Sequence, residues 1–293
     1  MRERFTKLAL RGLFKAVVGP PVPLAFQRGW TQALTVINPP ARGIAREQQR
    51  LGGVDCEVLS PRDGEVKHTM VFLHGGAYVL GSPATQRAIT SHIAALAQAR
   101  VVVPDYRLAP EHPWPAAIED GMVVMAAVAE RFGAFSLGGD SAGGGLALCC
   151  AQRARDAKQA EPEALVLISP WVDLSNSLPS HSERASRDPM LRGDWSAGAA
   201  AAYVADQGAL DDPRWSPLFG EQHGLPRTLI HVGSEEVLLD DARSLAEALH
   251  AADVPTSLEV FDGLWHEFHM HAALLPRARE AVQAIADFLG ETG

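Results

Sequence analysis

Leu137-Gly138-Gly139-Asp140-Ser141-Ala142-Gly143-Gly144-Gly145 is the stretch on which the fold reading turns. It follows the short apolar run Ala134-Phe135-Ser136-Leu137 and precedes the helix-prone run Leu146-Ala147-Leu148-Cys149-Cys150-Ala151. A serine between glycines at a strand-to-helix junction is the pattern of a nucleophile elbow. There the serine backbone is strained, and only glycine lets strand and helix pass so closely. The helix then starts beneath the serine, with its free N–H groups and positive dipole end where an oxyanion would develop. Taken alone, the same residues also describe an ordinary turn with a helix cap, so the flanking chain has to decide.

Outward from the elbow, strand-like and helix-like runs alternate. Thr69-Met70-Val71-Phe72-Leu73 and Ala164-Leu165-Val166-Leu167-Ile168 are continuous apolar runs, as strands covered on both faces should be. Val101-Val102-Val103, Thr228-Leu229-Ile230-His231-Val232 and Ser257-Leu258-Glu259-Val260-Phe261 read as further strands, and Val54-Asp55-Cys56-Glu57-Val58 alternates as an edge strand would. Helical pattern fills roughly 84–97, 116–131, 142–157, 240–251 and the chain up to residue 289. This alternation is the signature of a doubly wound, mostly parallel sheet. It pauses over about 172–225, which holds turn residues and one Ala-rich helix near 195–204. An insertion of that length is expected to build a cap or pocket wall. Ahead of the sheet, Phe5, Leu8, Ala9, Leu13, Ala16 and Val17 recur at helical spacing between Arg4, Lys7, Arg11 and Lys15. That amphipathic helix, and a second short one ending before Asn38-Pro39-Pro40, read as a lid or as helices packed on the core.

Composition narrows the class. The 293 residues are 47% hydrophobic and 21% charged, as a soluble globular chain is, and the net charge of −9 argues against nucleic acid as partner. Residues 1–50 carry nine basic residues against Glu3 and Glu47, a surplus of seven over an acidic remainder. This basic segment suggests docking on the acidic body, or contact with an anionic membrane surface. No run has the length of a membrane span, and Arg11 and Lys15 interrupt any signal-peptide core. Cys56, Cys149 and Cys150 make no disulfide framework, since two are adjacent within one helix. They are read as reduced thiols, and the chain as cytoplasmic.

Acyl transfer needs a nucleophile, a base, a group that orients the base and donors for the oxyanion. In such a sheet these belong on loops at the carboxyl ends of strands. Ser141 follows one strand, His74-Gly75-Gly76-Ala77 another, Glu235 and Glu236 a third, and His266 a fourth, in the order nucleophile, acid, base. Gly75, Gly76 and Ala142 are the expected oxyanion amides. His266, His269 and His271 crowd the last loop, yet His-Glu-Phe-His lacks the zinc-protease spacing, and the glycines around Ser141 match neither a P-loop nor a dinucleotide fingerprint. No metal and no cofactor are expected.

The residues His74-Gly75-Gly76-Ala77, Tyr106-Arg107-Leu108-Ala109-Pro110-Glu111, Gly139-Asp140-Ser141-Ala142-Gly143 and Gly263-Leu264-Trp265-His266-Glu267-Phe268 closely resemble motifs of the hormone-sensitive-lipase family of bacterial esterases, over roughly residues 50–290. The resemblance implies an α/β-hydrolase fold with an eight-stranded, mostly parallel sheet. It implies a catalytic domain over 51–293, with a cap from helices in 1–50 and from about 172–225. It also implies carboxylic-ester hydrolysis and pairing of two copies through an edge strand. Ala77 stands where the family often has a third glycine. For the acid, Glu236-Val237-Leu238-Leu239-Asp240 matches the family frame with glutamate in place of aspartate, Glu235 and Asp240 remaining as alternatives.

The expected enzyme is therefore a serine carboxylesterase acting on short- to medium-chain acyl esters through Ser141, His266 and Glu236. Its activity should fall as pH drops through the His266 pKa, about 6–7 if unperturbed. Tyr78, Leu191, Trp195, Tyr203 and Leu238 are the expected pocket residues, and Asp105 with Arg107 the expected ion pair holding the proline-rich loop. A lactone, carbamate or amide hydrolase could use the same three groups. A non-catalytic receptor on this fold is the rival from another class, and the intact His266 speaks against it.

Overall fold

The computed structural model describes residues 2–291. The amino-terminal segment forms α1 (Arg2–Leu10), continued by a wider turn over Arg11–Lys15, and then α2 (Leu24–Leu34). The sheet begins with β1 (Ile44–Leu51), β2 (Val54–Pro61) and β3 (His68–Leu73), followed by α3 (Pro83–Leu96) and β4 (Ala99–Pro104). Next come α4 (Ala116–Phe132), β5 (Ser136–Asp140), α5 (Ala142–Ala157) and β6 (Ala164–Ile168). The insertion carries the short α6 (Ser180–Glu183) and α7 (Gly193–Val204), and β7 (Arg227–Gly233), α8 (Leu239–Ala251), β8 (Thr256–Phe261) and α9 (Pro276–Gly290) complete the chain.

Eight strands form one sheet in the order β1-β2-β4-β3-β5-β6-β7-β8. β2 runs antiparallel to both its neighbours, and every pairing from β4 to β8 is parallel. Because α3 and α9 cover one face and α4, α5 and α8 the other, the central strands are buried on both sides. That is why β3 and β6 read as unbroken apolar runs. Truncating a core leucine such as Leu137 or Leu167, both fully buried, would cost about 2–5 kcal/mol.

Three local features differ from the sequence reading. The edge strand is β1, not β2. Its sequence, Ile-Ala-Arg-Glu-Gln-Gln-Arg-Leu, is polar because most of it faces solvent, and it pairs with β2 across Gly52-Gly53. The expected cap boundary at residue 50 therefore falls inside a sheet strand; Met1, Thr292 and Gly293, at the ends of the expected domains, lie outside the described residues. Second, β5 does not stop at Leu137. It runs through both glycines to Asp140, so Ser141 sits directly at a strand end. Third, Arg107 pairs with Asp120 at 2.8 Å and Glu119 at 3.1 Å on α4, whereas Asp105 is exposed. The proline-rich loop is thus tied to the helix that follows it, not to its own preceding residue.

Candidate active site

The loops after β3, β5, β7 and β8 meet at one edge of the sheet, and Ser141 stands at their centre. Its backbone, at φ 53° and ψ −124°, lies in a region costing a non-glycine residue about 1–3 kcal/mol. The surroundings hold it there. The Ser141 N–H donates to the Ile168 carbonyl at 2.9 Å, and the Ser141 carbonyl accepts from the N–H groups of Trp171, Gly144 and Gly145. A β-carbon at Gly139 would collide with the carbonyls of Gly143 and Leu73, and one at Gly143 with those of Leu73 and His74. The two glycines flanking the motif are thus required by close approach of β5, α5 and the end of β3.

The Ser141 Oγ lies 3.0 Å from His266 Nε2, and His266 Nδ1 lies 2.8 Å from Glu236 Oε2. The other Glu236 oxygen accepts from Ser169 Oγ at 2.9 Å and from the Gly233 N–H. All three side chains are buried. Burial pushes the Glu236 carboxyl above its ordinary pKa, with the His266 hydrogen bond opposing. For His266, burial disfavours the imidazolium, but Glu267 and Glu236 outweigh it and hold the ring well above its ordinary pKa.

The alternatives for the acid point elsewhere. Glu235 accepts from Lys7 on α1 at 3.4 Å. Asp240 accepts from the Ser180 N–H at 2.9 Å, and Asp241 from His181 and from the N–H groups of Val172 and Asp173. Both aspartates staple the insertion to the start of α8. Of the remaining loop histidines, His269 packs on the buried His231 and His271 bonds to Asn38.

The donors for an oxyanion need one correction. The Gly75 N–H is already engaged, donating to Asp140 Oδ1 at 3.0 Å. The register explains it: Leu73 pairs with Gly139, so Asp140 is carried alongside the start of the following loop. The Gly76 and Ala77 amides have no acceptor among the described residues, and the Ala142 N–H, the first of α5, lacks an intrahelical partner. His74 is wholly buried, stacked on Tyr106 with centroids 4.1 Å apart, and burial lowers its pKa to about 4. It shapes the loop.

A cavity of about 60 Å³ lies against Ser141, lined by Gly75, Gly76, His266, Glu267, Leu191 and Trp195 among others. Of the expected pocket residues, Leu191 and Trp195 line this cavity. Tyr78, Tyr203 and Leu238 do not. The two tyrosines stack on each other with centroids 3.8 Å apart behind the wall, 1% exposed each, and Leu238 is buried beneath the start of α8. They pack the core that supports the site. Phe14, Thr85, Met190 and Met270, which no motif signals, line this cavity and also a second, apolar one of about 210 Å³ under α1 and α2. Asp188, also unsignalled, accepts from the Met190, Leu191 and Val237 N–H groups, tying that wall to the loop that carries Glu236.

Residues 70–270 match the family model of the α/β hydrolase fold. The chain is 40% identical over 227 residues to an acetyl-hydrolase of Streptomyces hygroscopicus, covering 75% of each protein. It is 35% identical over 242 residues to an esterase of Acinetobacter venetianus, covering 82% of this chain and 80% of that one. Its structure superposes on the crystal structure of an esterase from the bacterial hormone-sensitive lipase family with a TM-score of 0.93 at 33% identity, covering 98% of this chain and 97% of that one.

Proposed function

The chain belongs to the α/β-hydrolase fold family, within its bacterial hormone-sensitive-lipase branch of esterases, and from that premise we propose that it is a serine carboxylesterase working through an acyl-enzyme. The observation that carries this reading is the unbroken line from Ser141 Oγ through His266 to Glu236, at 3.0 and 2.8 Å. His266 takes the Ser141 proton as Oγ attacks the ester carbonyl, while Glu236 keeps the ring proton on Nδ1 and steadies the imidazolium. The Gly76, Ala77 and Ala142 amides receive the oxyanion, each such donor being worth about 3 kcal/mol in comparable enzymes. His266 then protonates the leaving alcohol, and water activated by the same ring releases the acid.

The substrates are short- to medium-chain acyl esters. A short acyl group fits the cavity at Ser141, and a longer one passes Phe14, Met190 and Met270 into the apolar space beyond. Each further buried methylene contributes about 0.8 kcal/mol, roughly fourfold in kcat/KM. Helices α1 and α2 together with residues 172–225 act as the cap. No described helix is long and apolar enough to cross a membrane. Three buried, unpaired cysteines fit a reducing, cytoplasmic setting. The open β8 edge, with Val260 40% exposed, suits pairing with a second copy.

A series of p-nitrophenyl esters from acetyl to dodecanoyl, run on wild type and on Ser141→Ala, tests the proposal. Wild type should turn over the acetyl to octanoyl members, and the variant should lose at least about 10⁴-fold in kcat. Wild type without turnover, or a variant that keeps it, sinks the esterase reading.

A further inference from the structure

Two buried carboxyl groups take no part in the mechanism above, and both border it. Asp140, the last residue of β5, accepts the Gly75 N–H at 3.0 Å on Oδ1 and the Gln86 amide at 2.6 Å on Oδ2. Glu267, held at φ 52° directly after the base, places Oε1 3.4 Å from His266 Nε2, the nitrogen that also meets Ser141. The two carboxyls converge on Gly75. A β-carbon there would collide with Asp140 Oδ2 and stand 2.7 Å from Glu267 Oε1. Two carboxyl groups crowded this closely in a buried site do not both stay charged, so one of them keeps its proton. Burial, and then the Glu267 charge, push the Asp140 carboxyl well above the ordinary range, so Asp140 holds that proton. Burial also raises Glu267, but His266 and the neighbouring Asp140 outweigh it, so Glu267 is the anion.

The surroundings assign this anion its counter-charge. Glu236 occupies Nδ1 of His266, with Asp188 behind it. The rings of His74 and His271 are lowered to about 4 and that of His269 well below its ordinary value, chiefly by burial, so all three are neutral. His266 is left as the cation that Glu267 faces.

We propose, on the premise that Ser141 and His266 perform the acyl transfer above, that Glu267 is a second carboxylate of the base: a positioning residue that receives the Nε2–H of the imidazolium while the tetrahedral intermediate stands. Protonated Asp140 beside it, and that residue's bond to the Gly75 amide, lock the base to the oxyanion loop. As Oγ bonds to the acyl carbon, the Ser141 proton moves to Nε2. It rests there between the leaving oxygen and Glu267 Oε1, and passes to the leaving oxygen as the C–O bond breaks. Glu267 is an anion before and after, and the Asp140 proton does not move.

Two near-isosteric substitutions test this. Glu267→Gln removes the charge and keeps the shape. Asp140→Asn imitates the protonated acid, and the Gln86 amide, whose Oε1 has no partner, can turn to accept from it. Glu267→Gln should move the acid limb of kcat/KM down by about one pH unit or more, whereas Asp140→Asn should leave the limb where wild type has it. The same contrast is read by NMR titration of the His266 ring in a Ser141→Ala background, which needs no turnover, with a thermal melt to show that each variant is folded. Should Glu267→Gln not fold, Glu267→Asp keeps the charge one methylene further off and should move the limb down by less. An unmoved limb and ring titration in a folded Glu267→Gln, or an equal shift in Asp140→Asn, overturns the inference. A wild type inert to esters overturns the esterase reading instead, and the ring titration still decides the role of Glu267.

Discussion

The two walls of the cavity at Ser141 are built on opposite principles. The floor comes from loops at strand ends, and its side chains are fixed by hydrogen bonds: Ser141, His266, Glu236 and Ser169 form one connected, buried set, and Asp140 is held by Gly75 and Gln86. The roof comes from α1, α2 and the insertion, and its Phe14, Met190, Leu191 and Trp195 meet the cavity through apolar surface, as does Met270 from the loop after β8. Hydrogen bonds hold the roof's parts to one another and to the body, those of Asp240 and Asp241 among them. Within the roof, Lys15 donates to the Ala185 and Asp188 carbonyls and Arg11 to those of Ser186 and Arg187, joining the end of α1 to the insertion; Lys7 reaches the body at Glu235, and Arg28 at Glu111 and the Val79 and Ala109 carbonyls. A polar network fixes angles and proton positions, so small changes in it cost turnover. An apolar wall fixes volume, so changes in it redistribute preference among substrates.

If that contrast holds, the largest effect after loss of the nucleophile itself is on the floor. Glu236→Gln should lower kcat by about 10³–10⁴-fold, because the amide cannot hold the ring in the required tautomer. Glu235→Gln, which removes only the half-exposed pairing with Lys7, should change kcat by less than about twofold. Steady-state kinetics on a good ester checks both, and a reversal of the two would make Glu235 the acid.

The pH profile comes next. His266 must be neutral to accept the Ser141 proton, and its pKa is held well above the ordinary 6.5 by Glu267 and Glu236 against burial. Activity is therefore full above that raised pKa and lost as pH falls through it. The acid limb of kcat/KM should accordingly lie above the usual histidine range. A limb at or below the ordinary value would mean that the carboxylates around the ring are not both charged in the free enzyme.

Sequence and structure agree unevenly across these walls. Ser141, His266 and Glu236 are legible because each sits in a short local motif at the end of a recognisable strand. The engagement of Gly75 is not, since it depends on how β3 and β5 align, which no local pattern records. Tyr78 and Tyr203 look like pocket aromatics, but a ring's direction depends on what lies behind it, and here that is another ring. β1 is hidden because an edge strand in solvent needs no apolar alternation. The apolar lining residues Phe14, Met190 and Met270 carry no chemical signature at all.

Asp188 joins the two walls and should show an intermediate effect. It is fully buried, and its oxygens serve two roof amides and one amide of the Glu236 loop. Asp188→Ala leaves three buried N–H groups without acceptors, at about 1–3 kcal/mol for each group stranded. A lower thermal midpoint together with a lower kcat for every ester is expected. A lower midpoint with unchanged kcat would show that the strap supports the roof alone.

The mildest prediction belongs to the roof. Phe14 lines both cavities, so its ring stands at their boundary. Phe14→Ala widens the passage and leaves Ser141, His266 and Glu236 as they are. Turnover of an acetyl ester, which does not reach the passage, should change by less than about twofold, while the decanoyl-to-acetyl ratio of kcat/KM should rise several-fold, the worth of about one to two methylenes. Parallel assays on the two esters read that ratio directly. If instead acetyl turnover falls as far as decanoyl turnover, Phe14 supports the floor as well, and the division between a wall that reacts and a wall that selects does not hold at this point of the cavity.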